Sequence, residues 1–500
     1  MVRVSEVITT DEIKTWTSDN IISITAGTGV GKSYFIKNIL YAFAKSNNKK
    51  ILFLIHRTNC TDQFYKELKK DNKLDVIDIR TYQSIEAFVK NKKKFDFSKY
   101  QYIVSDEFHY FMGDASFNVT TDMSLNQILK QNDCIRIFMS ATGEHVKNYI
   151  NNTKGYSMKE YNLPITYDFI KQLTFFNLDD TMEEFIKECI NSNDKAIFFI
   201  QSAKKAYELY NKYKDNCIFN CSKSNDEYYK YVDTKVIDSI LENERFEKNI
   251  LITTTCFDAG VNIIDKDLKH IVCDVEDVDT LIQCIGRKRL QDDEDKIYLY
   301  VKTINNQSLG GKETQLKSKI KMADFARKHT VKEYVDEFPR GIDYHKIVYD
   351  VSTDDEDTCT KQINELMYFK CKCDIVQIEI MKLNGDYGYN KYLAKKLGFI
   401  DKDGNPKYRL IEEEKANDDL EFKLEELVGN IFLQTKDRKA VIDLINVRIN
   451  GHQLKKIGNL NGALEEREIP YRIVEFSTSK IIDGKKKNFK SAWKIEKLVG

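Results

Sequence analysis

The sequence is poor in residues that build linkers, and it carries no net charge. Only four of its 500 residues are proline, and no glycine- or serine-rich tract and no internal repeat occurs. These absences exclude long disordered segments and predict short linkers. Lysine and arginine together number 78, and so do aspartate and glutamate. A polyanion would therefore bind through local patches and backbone donors, because the whole protein offers no attractive field.

Signals for membrane insertion and export are also missing. No run of eighteen apolar residues occurs, and the amino-terminal segment MVRVSEVITTDEIKTW is charged and has no apolar core. We therefore expect a soluble, cytoplasmic protein. The eleven cysteines are an odd number and lie among apolar strands such as HIVCDV, as is typical of reduced core thiols. The length of 500 residues predicts about three domains with ample cores, and the hydrophobic content of 42% indicates a globular chain.

Apolar strands alternate with helical segments over the first 300 residues, which predicts an α/β fold with parallel sheets. The strand candidates before Pro164 are IISITAG, ILFLIHR, YQYIVSDE and CIRIFMSAT, and those after it are KAIFFIQS, NILITTTC, LKHIVCDV and KIYLYVKT. We expect two parallel-sheet domains, residues 1–165 and 166–305. A mixed α+β region, residues 306–500, follows them.

A glycine-rich loop follows the first strand and opens a helix, which is the context that a phosphate-binding loop requires. The loop consists of Ala26, Gly27, Thr28, Gly29, Val30, Gly31, Lys32 and Ser33. Its glycines let backbone N–H groups surround phosphate oxygens, Lys32 would reach the β- and γ-phosphates, and Ser33 would ligate Mg²⁺. The pattern predicts a nucleoside triphosphate site but leaves open what the nucleotide drives.

The second motif is acidic. It consists of Asp106-Glu107-Phe108-His109 and begins at the end of the strand YIVSD. An aspartate there can hold the Mg²⁺ shell, and the next glutamate can orient or deprotonate the attacking water. We assign these two roles to Asp106 and Glu107. No H-x-x-x-H or C-x-x-C pattern lies near His109, so a metal-binding role for this histidine is disfavoured.

The order of further motifs resembles the DExH type of superfamily 2 helicases and translocases, of the kind found in phages and mobile elements. SAT (140–142) resembles motif III, FLIHRTNCTDQF motif Ia, TYQSI motif Ic, FFIQSAKKA motif IV, LITTTCFDAGVNI motif V and QCIGRKR motif VI. The resemblance covers roughly residues 20 to 300. It implies two RecA-like lobes that close over ATP and Mg²⁺ while single-stranded or forked nucleic acid lies across both, DNA more than RNA.

The resemblance also implies roles for single residues. Lobe two would supply Gly260, Asn262, Gln283, Arg287 and Arg289 to the nucleotide, and His109, Ser140 and Thr142 would couple the two ligand sites. The implied nucleic-acid contacts, mainly to phosphate and sugar, are Arg57, Thr81, Gln83, Ser202 and Thr254. No glutamine motif of the DEAD-box type precedes the loop, and Trp16 is the aromatic residue there that would stack on the base.

Motif VI departs from the usual Q-x-x-G-R-x-x-R spacing. Leu290 occupies the position of the second arginine, which has moved to Arg289. On a regular helix Arg289 would point about 200° away from Arg287. The spacing therefore predicts Arg287 as the arginine finger, and Arg289 would enter the site only through a local distortion.

The carboxyl-terminal region carries weaker signals. Two helical segments followed by a hairpin, with Asp483-Gly484 as its turn, predict a winged-helix-like end at residues 435–500. Its wing tip would present Lys485, Lys486, Lys487 and Lys490.

A cysteine group precedes this end. Cys359, Cys371 and Cys373 could form a zinc site with His345, but the spacing matches no standard motif. Cys-x-Cys on a strand is explained equally well by core packing.

Three functions remain open from the sequence: a helicase or translocase, a nucleic-acid-stimulated ATPase that switches a complex without separating strands, and an initiator-type binding module with a regulatory ATPase. Protein partners from a replication, repair or defence system stay open as well.

Overall fold

The structure, a computed structural model, describes residues 2–27, 29–56, 58–116, 118–257, 261–292, 294–339, 346–352, 359–449, 452–482 and 485–498. The chain divides into two compact units, Met1–Tyr408 and Arg409–Gly500. In the described part of the chain, no helix is long and apolar enough to cross a membrane.

The first lobe of unit one is a parallel sheet in the order β3-β2-β4-β5-β1-β6. Its strands are β1 Ile21–Thr25, β2 Ile51–Ile55, β3 Ile77–Thr81, β4 Tyr102–Asp106, β5 Ile135–Ser140 and β6 Met158–Asn162. Every residue of β2 is buried, because helices cover both faces of such a sheet and its inner strands become continuous apolar runs.

Nine α-helices accompany this sheet. They are α1 Val4–Val7, α2 Thr10–Lys14, α3 Lys32–Tyr34, α4 Tyr41–Ser46, α5 Thr58–Lys70, α6 Tyr82–Lys90, α7 Tyr110–Gly113, α8 Thr121–Leu129 and α9 Glu144–Asn148 in the described chain. A π-helical segment, Phe35–Leu40, joins α3 to α4, and a second, Tyr149–Thr153, extends α9.

The second lobe repeats the plan with a parallel sheet that orders six strands as β7-β12-β11-β8-β10-β9. These strands are β7 Ile170–Phe176, β8 Lys195–Ile200, β9 Cys217–Asn220, β10 Ile250–Thr253, β11 Leu268–Asp274 and β12 Ile297–Lys302. The helices are α10 Asp179–Ser192, α11 Ala203–Lys212, α12 Asp226–Tyr229, α13 Thr234–Asn243 and α14 Val278–Ile285. The two parallel sheets confirm the expected fold class.

The segment after β12 packs on both lobes. It contains α15 Asn306–Lys328, α16 Val331–Glu337, the antiparallel pair β13 Val348–Ser352 and β14 Cys359–Ile363, α17 Glu365–Leu383 and α18 Gly388–Lys396. At the start of α17, the amide of Asn364 donates to the carbonyl of Ala115 in lobe one at 2.8 Å. Further along α17, the ammonium of Lys370 lies 3.2 Å from the carboxylate of Asp277 in lobe two. This segment therefore belongs to the same compact unit as the lobes.

The expectation that Cys371 and Cys373 lie on a strand is wrong, because both lie on helix α17. Residues two apart on a helix point about 200° away from each other, so their thiols do not share a face. No group of three potential metal-ligating His, Cys, Asp or Glu side chains occurs among the residues whose placement is described. His345, the fourth residue of the predicted zinc site, lies outside them.

The described residues of unit two form three helices, a small three-stranded antiparallel sheet and a short two-stranded pair. It contains β15 Arg409–Leu410, α19 Ile411–Leu427, β16 Ile431–Phe432, α20 Thr435–Ile445, β17 Arg448–Ile449, β18 His452–Gln453, α21 Ile457–Glu466, β19 Tyr471–Ile482 and β20 Lys485–Lys497. The three-stranded sheet has the order β16-β20-β19. Helices followed by a long antiparallel hairpin match the expected element order. The predicted turn, Asp483-Gly484, lies outside the described residues.

Candidate nucleotide and nucleic-acid site

The glycine-rich loop connects β1 to α3, as its sequence predicts. Gly29 and Gly31 have φ angles of 82° and 88°, a left-handed backbone that glycine adopts without a steric penalty. Gly31 is the residue that precedes helix α3, so backbone N–H groups at a helix start are available to an anion. Thr28 lies outside the described residues.

Lys32 is the charged residue of this loop, and it is buried. Its side chain is 8% exposed, and its ammonium donates to the carbonyl oxygens of Ala26 at 2.9 Å and Gly27 at 3.2 Å. A lysine ammonium has three donors, so one remains for a phosphate oxygen. Ser33 lies in the first turn of the helix, and Val30 is buried.

The acidic pair lies at the carboxyl end of β4. Burial, and then the neighbouring charge of Glu107, raise the pKa of Asp106 to about 7. The Oδ1 atom of Asp106 is buried and has no hydrogen-bond partner within the described chain. Such an oxygen is costly to bury unpaired and suits a hard cation such as Mg²⁺, so the residues present fit the implied metal.

Glu107 differs from Asp106 in both backbone and charge state. Its φ angle is +48°, a conformation that costs a non-glycine residue free energy and occurs often at functional sites. Burial alone would raise the pKa of Glu107. The charge of Lys32 and a hydrogen bond from His109 outweigh burial and hold this pKa well below its ordinary value. Glu107 is therefore a carboxylate at neutral pH.

The predicted coupling residues form one hydrogen-bonded cluster. Nδ1 of His109 lies 2.9 Å from Oγ of Ser140 and 3.2 Å from Oε2 of Glu107. Oγ of Ser140 donates to the same Oε2 at 3.3 Å and accepts from the backbone N–H of Thr142 at 3.1 Å. The structure thus brings the acidic motif and the SAT segment into direct contact.

One hydrogen bond carries this cluster into the second lobe. The amide of Gln283, on helix α14, donates to Oγ1 of Thr142 at 2.9 Å. The guanidinium of Arg287 then donates to the backbone and side-chain oxygens of Gln283 at 2.9 and 3.2 Å, and to the carbonyl of Val261 at 3.3 Å. Only 3% of Arg287 is exposed, so its donors are committed to the lobe.

The premise that motif VI is a regular helix is wrong. Helix α14 ends at Ile285, and Gly286 follows it as the C-cap. Lys288 forms a parallel bridge with Ile263, and the backbone N–H of Arg289 donates to the carbonyl of Ile263 at 2.9 Å. Gly286 and Arg287 thus form a turn, and strand-like pairing begins at Lys288. The helical rotation that would turn Arg289 away from the nucleotide therefore does not apply.

Arg289 instead points at the phosphate loop. Its Nε donates to Oδ1 of Asn262 at 2.6 Å, and its Nη1 is buried without a hydrogen-bond partner in the part of the chain that is described. A Cβ placed on Gly29 would lie 3.9 Å from that Nη1. Burial, and then the like charge of Arg287, lower the pKa of Arg289 to about 10. It is a cation held ready for an anion, and Asn262 is its support.

The nucleic-acid candidates lie where strands end. Thr81 accepts a hydrogen bond at the start of α6 and Ser202 at the start of α11, and Gln83 is exposed. Thr254 follows β10, but it is buried, and its backbone N–H donates to Asn220. The structure places these residues at the carboxyl edges of the two sheets. Arg57 and Gly260 lie outside the described residues.

The expectation that Trp16 stacks on the base is wrong. Trp16 is buried and donates through Nε1 to the hydroxyl of Tyr161 at 3.0 Å, so it packs in the core of lobe one. One further feature was not anticipated from sequence. The segment between the lobes, with Ile165, Tyr167 and Phe169, lines a cavity of about 200 Å³ together with the phosphate loop and motif VI. In the sequence, only the position of this segment next to Pro164 could have suggested that it lines a cavity.

Residues 6–145, less than a third of the chain, match the family model described as "Type III restriction enzyme, res subunit". This match supports the resemblance drawn from the motifs of the first lobe. No match was found among curated proteins.

Several solved structures are similar at low identity. S. cerevisiae Dbp5 bound to RNA and ADP BeF3 is 17% identical with a TM-score of 0.42, over 57% of this chain and 79% of that one. Mycobacterium smegmatis helicase Lhr bound to ssDNA and AMP-PNP is 11% identical with a TM-score of 0.41, over 69% and 56%. The Type ISP restriction-modification enzyme LlaBIII bound to DNA is 12% identical with a TM-score of 0.41, over 90% and 36%.

Proposed function

We propose that this chain is an ATP-driven motor that hydrolyses ATP between its two lobes while it moves on single-stranded nucleic acid. The observation that carries the proposal is the continuous hydrogen-bond chain from Glu107 through Ser140 and Thr142 to Gln283 and Arg287. It joins the acidic motif of one lobe to the arginine segment of the other, which is what a nucleotide-dependent closure needs.

The residues divide the chemistry as follows. Lys32 and the backbone of the loop bind the β- and γ-phosphates, and Arg289 reaches the γ-phosphate from the second lobe. Ser33 and Asp106 would hold Mg²⁺, which would neutralise phosphate charge. Glu107 orients the attacking water and accepts its proton. His109 and Ser140 hold the Glu107 carboxylate in place by hydrogen bonds, and Ser140 connects it to Thr142.

The nucleic acid would lie across the carboxyl edges of both sheets, at Thr81, Gln83, Ser202 and the motif V segment around Thr254. Contacts there go to phosphate and sugar and carry no sequence preference. The match to a restriction-enzyme subunit favours DNA over RNA as the track. Hydrolysis that opens and closes the lobes would then move the strand.

The decisive experiment compares the ATPase rate with single-stranded DNA, duplex DNA, forked DNA and RNA. We expect single-stranded or forked DNA to stimulate most, and Lys32→Ala to abolish turnover. Lys37→Ala is the matched control and should keep wild-type turnover. Lys37 lies five residues after Lys32 in the same helical stretch, and it forms an ion pair with Glu67. No stimulation by any nucleic acid would refute the proposal.

A second function, an ATPase that remodels a complex without separating strands, uses the same site. A strand-displacement assay on a forked duplex distinguishes the two. Stimulated hydrolysis without displacement would favour the switch.

A further inference from the structure

Four tyrosines of the second lobe form an aromatic cluster that the ATPase site does not use. Tyr207 and Tyr210 lie on α11, Tyr228 lies on α12, and Tyr231 follows it. Phe219 of strand β9, 2% exposed, anchors the cluster to the sheet, with ring centroids 5.4 Å from Tyr210 and 5.8 Å from Tyr207. Two of the four tyrosine rings therefore pack on a buried side chain of the sheet.

The tyrosine cluster lies at the same edge of the sheet as the proposed nucleic-acid contacts. Helix α11 begins directly after Ser202, at the carboxyl end of β8, and α12 follows the carboxyl end of β9. Strand β10 lies between these two strands, and the N–H of Thr254 donates to Asn220, the last residue of β9, at 3.1 Å. The tyrosine cluster therefore lies next to motifs IV and V, beside β9, the outermost strand of the sheet.

Tyr231 is the most exposed ring of the group. It is 43% exposed and stacks on Tyr207 with centroids 4.3 Å apart and planes 24° apart. The ammonium of Lys230 lies 5.1 Å from the centroid of the Tyr231 ring. Lys204, on α11, is 70% exposed and lies 3.9 Å from Glu208. Lys230 therefore lies against the exposed ring, and Lys204 precedes Tyr207 by three residues, or about one turn, on α11.

We propose that the tyrosine cluster is a base-stacking platform for single-stranded nucleic acid, with a base on the ring of Tyr231 and backbone phosphates at Lys230 and Lys204. A base stacked on an aromatic ring is bound more strongly than an exposed ammonium above it. An arriving base therefore displaces Lys230, and the released ammonium meets the phosphate beside that base. The inference rests on the proposed function and adds a binding site beyond motifs IV and V.

The test measures the affinity of the full-length protein for a fluorescent oligo-dT by anisotropy at several salt concentrations. Tyr231→Ala should weaken binding about tenfold without changing the slope of affinity against salt. Tyr231→Phe should bind like wild type, and Tyr231→Leu, which keeps the bulk but loses the ring, should behave like Tyr231→Ala. Lys230→Gln should reduce the salt slope by about one.

Tyr298→Ala is the matched control. Tyr298 is also a lobe-two tyrosine with a lysine ammonium, that of Lys171, 5.1 Å from its ring centroid. It lies at the amino end of β12, away from the proposed track, so binding should not change. Photo-crosslinking to an oligonucleotide with 5-iodouracil should label Tyr231 in the wild-type protein and lose this label in Tyr231→Leu.

Two failures can be told apart. If oligo-dT binds and Tyr231→Ala and Tyr231→Leu bind it with wild-type affinity, the tyrosine cluster only joins α12 to α11 and the platform is refuted. If the wild-type protein binds no single strand at all, the proposed function fails together with it.

Discussion

Replacing each of the two arginines of motif VI in turn gives the sharpest test of the proposed nucleotide site. The Nη1 of Arg289 points toward Gly29 and has no hydrogen-bond partner in the described chain. The Nε of Arg289 donates to Asn262. Arg287 directs its donors to Gln283 and Val261. We therefore expect Arg289→Ala to lower kcat at saturating nucleic acid by about 10³ or more, the range for arginine fingers, with little change in Tm.

Arg287→Ala should behave differently. It removes three hydrogen bonds from a charged donor, each contributing about 1.5–3 kcal/mol, and leaves the oxygens of Gln283 and Val261 unpaired in a buried setting. We expect a clear fall in Tm together with lower activity, because Gln283 loses its support. Arg287→Lys should recover neither the geometry nor the stability fully, since lysine lacks the planar fork.

The assay is steady-state ATP hydrolysis with saturating single-stranded DNA, paired with thermal unfolding of each variant. Arg289→Lys, which keeps the charge, should recover part of the lost turnover. The reasoning would be refuted if Arg289→Ala kept kcat within about tenfold of wild type, far short of the arginine-finger range, while Arg287→Ala lost turnover at an unchanged Tm. That result would restore the ranking expected from a regular helix.

Three further outcomes are expected. In EDTA, Asp106→Asn should raise Tm about twice as much at pH 8 as at pH 5.5. The pKa of Asp106 is raised to about 7 in the folded state, so the wild-type protein loses stability as pH rises from the unfolded value toward 7; equal gains at both pH values would contradict this. Truncation after Tyr408 should leave a folded ATPase. Truncation after residue 330 should yield a protein without a cooperative thermal transition, because it removes α17 with the hydrogen bond of Asn364 and the ion pair of Lys370 that connect this helix to the lobes. Thermal unfolding followed by circular dichroism checks both variants. Neutralising residues 485–487 should lower the salt slope of DNA binding by about one for each phosphate that is no longer neutralised, and an unchanged slope would assign that hairpin to another role.

Local chemistry alone determined much of the fold and of the nucleotide site. The inner strands are apolar runs because both faces of a parallel sheet are covered, so strands such as β2 and β8 could be recognised directly. The strands β3, β6, β7 and β9 were missed. β3 and β6 carry charged residues on a partly solvated edge, β7 begins with Ile-Lys-Gln, and β9 is only four residues long. Lys32, Asp106 and Glu107 could be assigned because a loop or a strand end places them without help from distant residues.

Tertiary structure decided what depends on packing between distant segments. The ranking of Arg287 and Arg289 could not be derived from spacing, because helix α14 ends at Ile285 and Lys288 pairs with the distant residue Ile263. The same is true of α17, whose affiliation with the lobes rests on its bonds to Ala115 and Asp277. Sequence periodicity reports which face of a segment is buried, but not against what it is buried. The motifs therefore predict the chemistry, and long-range packing decides which of the two arginines faces the glycine-rich loop.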